Sequence, residues 1–75
     1  MIEVYDINNN CIKCEVLFTF INNGKNIIVY KDKDDEILAS FYSDDNGKMM
    51  IEPILDDYYY DIVDKELEKW WNNNE

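Results

Sequence analysis

The chain contains no histidine, no arginine and no glutamine. Without histidine it lacks the side chain that most often moves protons near neutral pH and most often ligates metals. Without arginine it lacks the planar fork that grips phosphates and carboxylates with two bonds at once. Its basic residues are seven lysines, set against seventeen Asp and Glu, for a formal net charge of −10. Nucleic acid and anionic membrane need a basic footprint, so direct binding to either is not expected. Glycine and proline are scarce, at two and one. The two glycines fall at turns, and no Gly-rich phosphate loop exists. No segment approaches the ~20 apolar residues of a membrane helix. The start, from Met1 to Asp6, lacks the basic and apolar regions of a secretory leader. A cytoplasmic protein is expected.

What is present is apolar and aromatic. Seventy-five residues at 47% hydrophobic and 15% aromatic predict one domain, residues 1–75, with a dense core. Disorder is not expected, because disordered chains are poor in aromatic and β-branched residues.

Turn signals cut the chain into short strands followed by one helix. Met1 to Ile7 is a short N-terminal candidate strand, and Asn8-Asn9-Asn10 turns the chain. Cys11 to Ile21 is rich in β-branched and aromatic residues. Asn23-Gly24 suits a two-residue type I′ hairpin turn. Asn26 to Asp32 follows, then a turn at Lys33-Asp34-Asp35, a strand from Glu36 to Ser43, and a three-residue loop at Asp45-Asn46-Gly47. The last strand, Lys48 to Ile54, is ended by Pro53. With these loops Phe20 faces Ile27, Phe18 faces Val29, Val29 faces Ala39 and Phe41 faces Ile51. One sheet face then carries Val16, Phe18, Phe20, Ile27, Val29, Ile37, Ala39, Phe41, Met49 and Ile51. From Asp56 the period becomes helical, with Tyr59, Tyr60, Val63, Leu67 and Trp70 on one stripe. Asp56 or Asp57 is the expected N-cap. The predicted fold is α+β: an antiparallel meander of about four strands, or five with the N-terminal one, with the C-terminal helix across one sheet face.

The order of these elements resembles the YrzB-like family of small bacterial proteins, the domain of unknown function 1292. The matching residues are Glu15-Val16-Leu17-Phe18-Thr19-Phe20, Ile28-Val29-Tyr30, Leu38-Ala39-Ser40-Phe41-Tyr42 and Glu52-Pro53-Ile54. Asp56-Asp57, Ile62-Val63 and Leu67-Glu68 extend the match to about residue 70. The Asn-rich tail, the Cys11/Cys14 pair and the tyrosine run Tyr58 to Tyr60 depart from the family pattern. The resemblance implies a small acidic cytosolic protein and carries over no catalytic residue.

Candidate chemistry is thin. Cys11-Ile12-Lys13-Cys14 is a lone C-x-x-C with no second ligand pair, and it opens a strand, not a helix. Two reduced thiols are expected, with Cys14 facing the core. Counted from Asp32 as an EF-hand loop, positions six and twelve hold Ile37 and Ser43, so the calcium pattern fails. Trp70-Trp71 and Tyr58 to Tyr60 lack the basic groove of a nucleic-acid stacking platform, and core packing explains most of them. No catalytic residue, cofactor or metal site is expected, and no enzyme activity.

Two surfaces stand out as binding candidates. On the second sheet face, Leu17, Ile21, Ile28, Tyr30, Leu38 and Tyr42 would form an apolar patch that one helix cannot also cover. Such patches mark interaction sites, so a homodimer or a partner protein is expected there. At one end of the sheet, Glu15, Asp32, Asp34, Asp35, Glu36, Asp56 and Asp57 would gather as an acidic end for a basic partner. The expected function is a non-catalytic protein–protein interaction module. The alternative is a phage-type nucleic-acid mimic that occupies the basic groove of a DNA- or RNA-binding enzyme, which would need carboxylates along one ridge.

Overall fold

A computed structural model describes residues 2–73. Five strands precede one helix: β1 Ile2–Tyr5, β2 Cys11–Asn22, β3 Lys25–Lys31, β4 Ile37–Asp45, β5 Lys48–Pro53 and α1 Asp57–Asn73. The antiparallel meander and the C-terminal helix are as expected for an α+β fold. The sheet, however, closes into a barrel, in the order β1-β2-β3-β4-β5. Closure comes from β1, which pairs antiparallel with β2 and meets β5 in parallel at Tyr5 and Met50. Lys48 reinforces this seam. Its ammonium lies 4.2 Å from the Tyr5 ring centroid and donates to Asn9 Oδ1.

The turns follow from residues that tolerate positive φ. Asn23 and Gly24 both lie there, giving the expected two-residue hairpin. In the 6–10 and 32–36 turns, Asn9 and Asp35 take the left-handed position of a three-residue loop. Asp6 and Asp32 close these loops alike, each Oδ1 accepting from the backbone N–H groups two and four residues on.

Two local events redirect side chains. In β2 the register shifts between Val16, opposite Tyr30, and Phe18, opposite Val29. Leu17 is the extra residue of a β-bulge, so the strand reverses its faces there. Between β4 and β5 the loop is Asn46-Gly47, two residues and not three, with Asp45 opposite Lys48. Phe41 therefore pairs with Glu52, and Tyr42 with Ile51. A slip of one residue exchanges every inward and outward side chain of β5.

The expected single apolar face is thus two cores. Inside the barrel, Val4, Cys14, Ile28, Tyr30 and Ile51 are buried, with Ile12, Val16, Tyr42 and Met49 packed on them. Val16, Met49 and Ile51, expected beneath the helix, belong here instead. Between the sheet and α1, Ile27, Val29, Ile54 and Val63 are buried, joined by Leu17, Phe18, Phe20, Ala39, Phe41, Tyr59 and Leu67. The helix docks by its rings: Tyr59 meets Phe41 edge-on at 5.0 Å and Trp70 stacks on Phe18 at 5.8 Å. Asp56 caps it, its Oδ1 accepting from the Tyr58 N–H.

Candidate functional site

Barrel closure removes the apolar patch expected on the second sheet face. Ile28 and Tyr30 are buried in the barrel, where the Tyr30 hydroxyl and Ser40 Oγ share a hydrogen bond of 3.1 Å. Tyr42 is half-buried against the same interior, and Leu17 turns to the helix side through the bulge. Ile21 is exposed but stands apart near the end of β2, and Leu38 is exposed at the start of β4. The six residues form no common surface, because β1 covers what an open meander would leave bare.

Of the expected acidic end, Glu15 pairs with Lys31 and so lies beside the Asp32–Glu36 turn. Asp56 and Asp57 stand at the start of α1, where Asp56 serves as the helix cap. Among the described residues, no three Cys, Asp or Glu side chains are grouped so as to hold a metal ion.

The thiols sit on opposite sides of the wall. Cys11 is exposed and its Sγ donates to Glu3 Oε2 at 3.0 Å, while Cys14 is buried in the barrel. The hydrogen bond to the Glu3 carboxylate holds the Cys11 thiol above its ordinary pKa, and burial does the same for Cys14. Both are therefore poor nucleophiles near neutrality. Iodoacetamide at pH 7.5 (roughly one unit below a free thiol) should label Cys11 more slowly than free cysteine. Cys14 should react only in denaturant. Prompt labelling of two thiols in the native protein, read by intact mass, would contradict this burial.

A surface that sequence reasoning missed lies between β4 and α1. β4 begins at Ile37 and pairs with β3 from there, but its pairing with β5 stops at Ser40 opposite Pro53. Beyond Pro53 the chain leaves the sheet, burying Ile54, to start the helix. Ile37, Leu38 and Ala39 are left with a strand on one side alone among the described residues. A cavity of about 200 Å³ opens there. Val29 and these three β4 residues form one side of it, and Tyr60, Val63, Asp64 and Leu67 the other. A shallower depression of about 270 Å³ continues along α1 past Leu67 to Trp71, sharing Asp64 and Leu67 with the first. Together they make a trough with two half-exposed rings, Tyr60 at 45% and Trp71 at 50%. Tyr60 was expected to point inward. Its hydroxyl instead reaches the Ile54 carbonyl at 2.6 Å, which leaves the ring standing at the rim.

One flank of the trough is acidic. Asp57, Asp61, Asp64 and Glu68 are exposed and recur at helical spacing, a row of about 16 Å next to the Tyr60–Asp64–Leu67–Trp71 stripe. Lys69 is engaged with Glu66 at 3.4 Å. The row was legible as a spacing in the sequence. The half-paired β4 was not, since it depends on where β5 stops.

A wider bay of about 710 Å³ lies between the start of β2 and the β3–β4 turn, lined by Cys11, Ile12, Lys13, Asp32 and Lys33. Ile12 is its single aliphatic residue, and no aromatic ring lines it.

No helix among the described residues is long and apolar enough to cross a membrane. No curated protein and no solved structure matches the chain. A family model described as a protein of unknown function (DUF1292) matches residues 8–72, which span the trough, the bulge and all but the first strand. The chain belongs to this family.

Proposed function

We propose that the protein is a non-catalytic, cytosolic protein–protein interaction module, and that its partner binds the trough between β4 and α1. The observation carrying this reading is the coincidence of an apolar groove, two half-exposed aromatic rings and an adjoining row of carboxylates. Aromatic anchors in desolvated pockets supply most of the energy of protein interfaces, and charge at the rim supplies steering and specificity. The test compares tagged wild type with Ile37→Glu/Leu38→Glu. Both side chains are partly exposed, so the variant should melt close to wild type. A protein captured by wild type should be lost by the variant. Equal capture by both proteins would refute the trough as the site.

The acidic helix row also favours a second reading, the nucleic-acid mimic. Four carboxylates over about 16 Å form the ridge such a mimic needs. That reading requires the captured partner to be a nucleic-acid-binding protein released by added DNA or RNA.

A further inference from the structure

We propose that the occupant of the trough is an extended, lysine- or arginine-bearing segment of the partner, which adds as a strand to the free edge of β4 at Ile37–Ala39. This rests on the interaction-module reading and specifies the partner's chemistry.

The backbone argument comes first. Asp32 N–H donates to the Glu36 carbonyl at 3.0 Å, which sets the alternation of the β3–β4 ladder. Residues opposite each other alternate between bonded and non-bonded pairs. Leu38 therefore exchanges its bonds with Tyr30 on β3, while the backbone groups of Ile37 point to the other edge. No strand lies there among the described residues. Sheet edges are usually blunted by charged side chains or proline. Ile37, Leu38 and Ala39 bring neither to this one.

The side chains say what would fit. A strand on this edge alternates its residues, so every second side chain meets the groove floor of Val29, Val63 and Leu67. Those positions call for aliphatic residues. The flank beside them carries Asp61, Asp64 and Glu68, within a chain of net charge −10. An acidic segment is repelled there, whereas lysine or arginine gains both the carboxylates and the open faces of Tyr60 and Trp71.

The test uses the whole chain and an immobilised library of short peptides in which aliphatic positions alternate with Lys, Arg, Glu or Ser. Retained sequences should be rich in Lys or Arg. The best of them, added to isotope-labelled protein, should shift the amides of residues 37–39 and 60–71, and slow hydrogen exchange at Ile37. Asp61→Asn/Asp64→Asn should weaken binding several-fold. N-methylation of the peptide amides that face β4 should weaken it by about tenfold or more, since it removes the ladder bonds. A library yielding no binder, a preference for Glu, or amide shifts away from the trough would overturn the proposal. If the methylated peptide bound the trough as tightly, strand addition would be wrong while the docking site stood.

Discussion

Replacing Ile28 by lysine is expected to unfold the protein. Ile28 is 0% exposed, inside a barrel lined by Val4, Cys14, Tyr30 and Ile51. The new ammonium would have no carboxylate in that shell. It must either remain charged in an apolar interior or give up its proton far below the usual lysine pKa. Either route, added to the lost packing, costs about 4 kcal/mol or more, comparable to the whole stability of a small domain. Leu38→Lys is the contrast. Leu38 lies on the same face of the sheet, but at the end that β5 does not reach, and it is 39% exposed. That variant should stay within about 1 kcal/mol of wild type. Urea unfolding followed by circular dichroism separates the two. An open sheet would tolerate both lysines, so a folded Ile28→Lys would mean that the barrel does not close.

Phe18→Ala is expected to cost about 2–3 kcal/mol, below the range for a fully buried phenylalanine because the ring is half-buried. The Phe18 ring stacks on Trp70 at 5.8 Å and on Phe20 at 6.1 Å, joining β2 to the C-terminal half of α1. Its loss leaves a void beneath the helix that the neighbouring rings cannot fill without leaving their own contacts. The urea midpoint should fall, and tryptophan emission should shift to the red as Trp70 gains water. In a double-mutant cycle with Trp70→Ala, the ring pair should show a coupling of about 0.5–1.5 kcal/mol. A midpoint shift under about 1 kcal/mol would show that the helix is held by other contacts, Tyr59 on Phe41 foremost.

Much of this architecture was legible in the chain itself, for local reasons. Strand and helix periods, the Asn23-Gly24 turn and the turn at Lys33-Asp34-Asp35 are properties of short segments, so they place Phe18 opposite Val29 and Val29 opposite Ala39 as read. The helix stripe of Tyr59, Val63, Leu67 and Trp70 is a period of the same kind, and the acidic row from Asp57 to Glu68 is its neighbour. Three features needed the third dimension. Asn46-Gly47 works as a two-residue turn as readily as the end of a three-residue one, and the choice, which sends Met49 and Ile51 into the barrel, rests on what each face of β5 meets. The bulge at Leu17 leaves no mark in the pattern, because Val16, Leu17 and Phe18 are all apolar and either face would accept any of them. Closure by β1 is a pairing between distant segments, and it turns Ile28 and Tyr30 from a supposed docking face into core. The candidate site follows from the same nonlocal geometry: its side chains were always visible, but the groove exists only because β5 ends at Pro53, three residues short of the start of β4, and α1 crosses the sheet beside the edge left open.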